Sequence, residues 1–290
     1  MSAPTSDSPS GLQARISRLF VYPIKSCAGV ELPQADLTET GLDLDRAWMV
    51  VDSQGEFVSQ RELPRLALIR VQLKLTEVVL RAPGMLSLHL QIDTVESATK
   101  VRVWDDVVPA YDMGDTAAQW FSDFLGQSLR LVRFDPEHRR LSSLQWTQGV
   151  EAPNQFSDGF PLLVVSEASL EALNGRLAAA GKPAVGMERF RPNIVLSGVQ
   201  AHDEDRMGAM RVEADALVQL LPVKPCARCS IPDVDPATGV ADTWLGDALA
   251  AYRRNERLGG ALTFGMNAIV REGDGAVLRV GQTVSAPWAF

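Results

Sequence analysis

Short apolar runs broken by glycine and proline dominate this chain. In 66–75, Leu68, Val71, Leu73 and Leu75 are set among Arg70, Gln72 and Lys74, the alternation that sends side chains to opposite faces of a strand. Runs at 16–24, 47–51, 78–81, 86–92, 100–104 and 129–134 are also β-like, and a second group follows at 193–197, 210–212, 216–221, 262–270 and 276–284. Many short strands with Gly and Pro between them predict barrels or sandwiches.

Two segments carry helical period. In 115–125, Ala117, Trp120, Phe121, Phe124 and Leu125 form one stripe, with Asp115 placed to cap the start and Gly126 to end it. In 166–180, Ser166 is an N-cap residue, Leu170, Leu173 and Leu177 line one face, and Gly181 is a stop signal. A third, shorter helix is expected over 245–254. The fold class is therefore mainly β with a few helices (α+β).

At 290 residues the chain has the length of about two domains. The polar stretch 136–158 is the expected boundary, giving domains over 12–140 and 141–290 after a disordered tail at 1–11. That tail has neither a basic nor an apolar region, so it does not read as a signal peptide. No run approaches the ~20 apolar residues of a membrane-spanning helix. A cytoplasmic location without membrane contact is expected.

Charge narrows the classes further. Lys and Arg number 28 against 36 Asp and Glu, a net charge of −8, which argues against nucleic-acid binding. Three cysteines cannot close a disulfide framework.

Chemistry has two candidate sources. Cys226 and Cys229 form a CxxC in Lys224-Pro225-Cys226-Ala227-Arg228-Cys229. A zinc site would need about four ligands, and Cys27, His89, His138 and His202 stand at no finger spacing. A thioredoxin-like pair opens a helix, but Pro232 and Pro236 follow here. An iron–sulfur cluster takes four cysteines. Two ordinary buried thiols are the plain alternative. Against that, Lys224 and Arg228 flank the pair and favour thiolate, which suits a soft transition metal that draws its other ligands from a cofactor. The second source is basic: Lys25, Arg46, Arg61, Arg189 and Arg191 adjoin β-like runs. They are either solvated charges or, if they converge in space, a site for a phosphate-bearing cofactor.

Five motifs occur together in order: Tyr22-Pro23-Ile24-Lys25-Ser26-Cys27; Phe156-Ser157-Asp158-Gly159-Phe160-Pro161-Leu162; Ser166-Glu167-Ala168-Ser169-Leu170; Arg189-Phe190-Arg191-Pro192-Asn193-Ile194-Val195; and the CxxC motif followed by Asp235-Pro236-Ala237-Thr238-Gly239. As a set, spanning Arg15 to Val284, they resemble MOSC-domain proteins, and within them the amidoxime-reducing proteins and bacterial reductases of N-hydroxylated bases. The resemblance implies an N-terminal β-rich domain joined to a C-terminal MOSC β-barrel. It also implies a molybdenum cofactor (Mo-molybdopterin), and not pyridoxal phosphate, between them. Cys229 then corresponds to the metal ligand, with Cys226 supporting it. Lys25, Ser26, Arg46 and Arg191 correspond to positions that hold the pterin and its phosphate, with Asn193 and Arg228 adjacent, and Asp158 to an acidic position near the metal. Gly159 and Phe160 depart from the animal relatives, which carry small hydroxyl residues there.

The implied reaction reduces N–OH to N–H in a small N-hydroxylated substrate, with Cys229 and Asp158 in the catalytic set. Lacking cluster-binding cysteines, the chain is expected to take electrons from a separate donor: a ferredoxin, a flavodoxin, or a cytochrome b5-like protein with its reductase. The rival reading is a carrier that delivers molybdenum cofactor, or sulfur as a Cys229 persulfide, to other proteins.

Overall fold

The computed structural model describes residues 11–94 and 97–289. The tail expected at 1–11 lies outside the described residues up to residue 10, and Gly11 itself opens a strand. Seven strands close on themselves in the order Leu162–Ser166, Ile194–Ser197, Gly11–Val21, Thr283–Pro287, Met210–Val212, Val218–Ala227 and Ala261–Glu272, the last returning to the first. Closure leaves those strands without a free edge.

The first strand shows why the sequence fits there. Leu12, Ala14 and Ile16 are buried while Gln13 and Arg15 are exposed, the period of two expected of a barrel wall. The pairing register with Ile194–Ser197 shifts between Ile16 and Arg18, an irregularity that re-aims the side chains after it. Leu19 and Val21 consequently join the core of Leu162, Val164, Ile194, Leu220 and Val284, while Phe20 packs with Tyr22 in a different cluster. The first strand of the chain thus lies in one sheet with strands from beyond residue 160.

Leu162–Ser166 and Ile194–Ser197 are parallel, so the chain needs a crossover between them. Helix α2 (Glu167–Ala179) lies on that crossover, begun by Ser166, whose side chain accepts from the Ser169 amide. Its Leu173 and Leu177 pack with Leu245 and Leu249 of helix α3 (Trp244–Ala250). Helix α1 (Asp115–Leu125) instead packs Trp120, Phe121 and Phe124 against Val78, Leu80, Leu129 and Leu131. Around that second core lie a four-stranded sheet, made of Trp48–Val51, Arg130–Phe134, Asp106–Asp112 and Ser97–Val103, and a three-stranded sheet, Arg70–Leu73, Glu77–Arg81 and Leu88–Gln91.

Some elements differ from the sequence reading. The strand expected over 66–75 is a 3-10 turn at Pro64–Leu68 followed by the strand Arg70–Leu73. Pro64 supplies the φ of the first helical turn, and burial of Leu66 and Ala67 fixes it. The third helix ends at Ala250; beyond it, the side chain of Arg253 donates to the Thr263 carbonyl at 2.9 Å and to Asp205 at 2.6 Å. Helix α1 starts from Gly114, which has no side chain to cap with; Asp115, expected as the cap, is the first helical residue and pairs with Arg130 at 3.0 Å.

Candidate functional site

Tyr22 to Cys27 leave the barrel wall and are stitched to a neighbouring segment by the backbone. Arg46 N donates to the Tyr22 carbonyl at 2.9 Å, Trp48 N to Pro23 at 3.0 Å, and Lys25 N to Trp48 at 2.8 Å. Ser26, Arg46 and Arg191 all adopt positive φ (70°, 53° and 57°). In non-glycine residues this costs about 1 kcal/mol each and concentrates at functional sites. All three line the same cavity, of about 250 Å³.

Lys25, Asp158, Asn193, Arg228 and Cys229 line it too, so the eight residues singled out in the sequence converge on one space. Its walls carry six cationic side chains, Lys25, Arg46, Arg61, Arg191, Lys224 and Arg228, and one acid, Asp158, in a protein of net charge −8. This is an anion-binding balance. Arg189 lies elsewhere: it is buried, and donates to the Pro232 carbonyl at 3.0 Å.

The polar contacts separate support from availability. Asn193 is committed to the scaffold: Oδ1 accepts from Leu163 N at 3.1 Å and from Arg46 Nη1 at 3.2 Å, and Nδ2 donates to Phe20 O at 3.2 Å. Arg46 also pairs with buried Asp45 and donates to Arg191 O at 3.2 Å. Arg191 donates to Cys27 O at 2.7 Å, and burial, reinforced by repulsion from Arg46, lowers its pKa to about 10. Arg228 donates to Cys226 Sγ at 3.0 Å and to Phe190 O at 2.9 Å, yet its buried Nε has no partner among the described residues.

Lys25 is buried and uses two of its donors, on Phe156 O at 2.8 Å and Asp158 Oδ1 at 2.5 Å. Burial pushes the ammonium below its usual range although Asp158 supports the charge. For Asp158, partial desolvation at the cavity wall opposes ionisation. The Lys25 ammonium, the Lys25 and Trp104 hydrogen bonds and the Arg46 charge outweigh it, holding the carboxyl below the usual range. Its side chain is 65% exposed, and Oδ2 accepts nothing from the described residues, leaving lone pairs for a ligand.

The cysteines divide by position. Cys27 is buried and raised to about 12 by desolvation, against the pull of Arg191. Cys226 sits near the end of the strand Val218–Ala227, not at a helix start, and Cys229 beyond it is exposed. No group of three or more His, Cys, Asp or Glu able to hold a metal ion occurs among the described residues.

Within the chain the matches are to two families: the MOSC N-terminal beta barrel domain over residues 13–128 and the MOSC domain over residues 151–285. The chain is 38% identical over 236 residues to mitochondrial amidoxime-reducing component 1 of Mus musculus, covering 78% of this chain and 67% of that protein. The chain belongs to the MOSC-domain family. Human mitochondrial amidoxime reducing component 2 is 34% identical over 249 residues, covering 82% of this chain and 72% of that protein. Human molybdenum cofactor sulfurase is 27% identical over 270 residues, covering 87% of this chain but only 29% of that longer protein. The association of this MOSC protein with molybdenum-cofactor biochemistry rests on these relatives. No helix among the described residues is long and apolar enough to cross a membrane.

Two lining aromatics, Phe57 and Trp104, were not singled out in the sequence. Trp104, at φ 54° in a hairpin turn, donates from Nε1 to Asp158 Oδ1 at 3.1 Å. Arg61 lies over its ring at 4.6 Å and over Phe57 at 5.7 Å, and Lys224 over Phe160 at 6.0 Å. Phe57, Trp104 and Arg61 come from segments far apart in the chain, and no local pattern encodes their proximity.

Proposed function

We propose that this MOSC protein is a molybdenum-cofactor-dependent reductase of N-hydroxylated compounds, supplied with electrons by a separate protein. The observation that carries the proposal is the convergence of six cations, the exposed Cys229 thiol and the unpartnered Arg228 Nε on one cavity. The residues present fit the cofactor: a dianionic phosphate meets arginine forks, and a soft thiol stands at the lip for a soft metal.

When bound, the cofactor supplies the two-electron chemistry that removes the N–OH oxygen. The chain does the rest. Cys229 offers the protein ligand. Lys25, Ser26, Arg46, Arg191 and Arg228 hold the pterin and phosphate, and Asn193 keeps Arg46 in place through its carbonyl oxygen. Asp158, ionised and with Oδ2 uncommitted, orients a protonated base, which brings in one of the two protons that reduction of N–OH to N–H and water consumes. Phe57, Trp104 and Phe160 wall the cavity with apolar surface and limit water around the reacting group.

The test is direct. Purified, metal-loaded protein given a chemical reductant and an aromatic amidoxime is expected to form the amidine. Absence of turnover, with the cofactor passing readily to an apo-acceptor, overturns the reductase in favour of a carrier.

A further inference from the structure

Tyr22 does not line the cavity, yet it touches two of the arginines that do. The Arg46 guanidinium carbon lies 4.4 Å from its ring centroid and that of Arg191 lies 4.3 Å from the same centroid. The ring is fully buried, and its hydroxyl is enclosed without a hydrogen-bond partner, so the phenol's polar end secures nothing among the described residues. Nor is the ring free to move. A Cβ at Gly29 would stand 2.5 Å from Tyr22 Cε1, so the backbone presses on the ring there. From its own backbone, Tyr22 N donates to Asp45 Oδ1 at 2.8 Å, and Asp45 in turn pairs with Arg46.

We infer that Tyr22 is a positioning residue, an aromatic platform that holds the Arg46 and Arg191 guanidinium groups as a pair facing the anion in the cavity. Two guanidinium groups near one another repel, and both branches leave left-handed backbone positions. Bonds to Asp45, Asn193 and the Arg191 and Cys27 carbonyls tie single atoms of each fork, and the ring is a surface that both share. The electron-rich ring attracts both cations at once, and burial strengthens that attraction because neither water nor salt screens it. An aliphatic residue of similar size would fill the space but offer no such face. The ring is the working part, and the hydroxyl is dispensable. This inference rests on the reading that the cavity takes the phosphate-bearing cofactor.

The test compares Tyr22→Phe with Tyr22→Leu in the full chain. One readout is molybdenum and pterin retained after gel filtration. The other is the affinity of the cofactor-free protein for inorganic phosphate by calorimetry. Tyr22→Phe is expected to match the unaltered protein in both. Tyr22→Leu is expected to bind phosphate about tenfold more weakly, the scale of desolvated cation–π contacts, and to lose most of its cofactor. Should Tyr22→Leu fail to fold, Arg46→Lys in the unaltered and Tyr22→Phe backgrounds replaces it: lysine keeps the charge without the flat fork, and the same weakening is expected in both. Phosphate affinity in Tyr22→Leu equal to that of the unaltered protein, or in Tyr22→Phe as low as in Tyr22→Leu, or an Arg46→Lys variant without loss, overturns the platform. If the unaltered protein instead holds no molybdenum and no pterin, the cofactor reading fails while the phosphate measurements still judge the platform.

Discussion

The ammonium of Lys25 stands 2.5 Å from Asp158 Oδ1, joining the segment that leaves the first barrel strand to the loop that precedes Leu162–Ser166. One partner is buried and the other 65% exposed, and the two shifts have opposite consequences for folding. Asp158 titrates below its usual range in the folded state. Its stabilisation is therefore complete above the ordinary carboxylate pKa of about 3.9 and disappears as pH falls through the lower folded value. Lys25 also titrates below its usual range. For a base this means the folded chain gives up its proton first, so stability rises with pH from that lowered value up to about 10.4. Asp158→Asn is expected to lower the urea midpoint above pH 4 and to converge on the unaltered protein in acid. It also moves the alkaline rise to lower pH, since Asp158 supports the Lys25 charge. Urea titrations across pH check both ends.

The two cysteines of the CxxC are expected to behave differently. Cys229 is exposed beside the cavity, whereas Cys226 accepts a 3.0 Å contact from Arg228 and packs, partly buried, against the cluster that includes Phe190 and Phe264. Cys229→Ser should lose bound molybdenum, because a hydroxyl is a poor ligand for a soft metal. Cys226→Ser should keep most of it. Metal analysis of both variants decides; equal retention would put the ligand elsewhere.

How much of this was legible beforehand depends on where the deciding force lies. Helix α1 could be read to the residue because its apolar stripe is also its buried face, and Gly126, at φ 78°, ends it. The 66–75 alternation misled because Pro64 and the burial of Leu66 impose a tight turn first, and Leu75 is 97% exposed. The strand Asp106–Asp112 was not read, since Asp105, Asp106 and Pro109 look like breakers; it forms because it folds back on Ser97–Val103 as a hairpin. At the site, the motif residues were legible as a group because several motifs occur together. Trp104 was not, because it arrives from a distant hairpin; Tyr22 stood inside a motif, but its contact with both arginines shows only in the fold.

Arg140 supports Asp158 from behind. Its buried guanidinium donates to Asp106 at 2.7 Å, Asn154 Oδ1 at 2.6 Å, Gln155 O at 2.9 Å and Ser157 O at 2.7 Å. Removing it strands buried acceptors in the loop that ends at Asp158. Arg140→Ala should cost about 3 kcal/mol, a fall in Tm of roughly 5 °C at this chain length. Arg140→Lys, which can reach only some of these acceptors, should fall between. Thermal melts in which the Ala variant loses under 2 °C would contradict this account.

Barrel closure makes the sharpest demand on a single position. Ala261–Glu272 must pair with Leu162–Ser166 on one side and Val218–Ala227 on the other, and it does so through Gly265 at φ 80°. A Cβ there would stand 2.6 Å from Val165 Cγ2 and 2.7 Å from the Val164 carbonyl oxygen. The second contact is with backbone of the facing strand, which cannot yield without opening the seam where Val164 pairs with Met266. Next in the chain, Phe264 stacks on Phe190 at 4.1 Å, and Phe190 O accepts from Arg228, so displacement at the seam reaches the cavity. Gly265→Ala is expected to combine left-handed strain of about 1 kcal/mol with overpacking of about 1–3 kcal/mol. Both the urea midpoint and phosphate affinity of the folded fraction should drop. At Gly126, whose added Cβ would meet nothing within 4 Å, the same substitution carries only the backbone strain and should leave phosphate affinity unchanged. Equal losses of stability at the two positions would show that strain, and not the closeness of the facing strand, governs the seam.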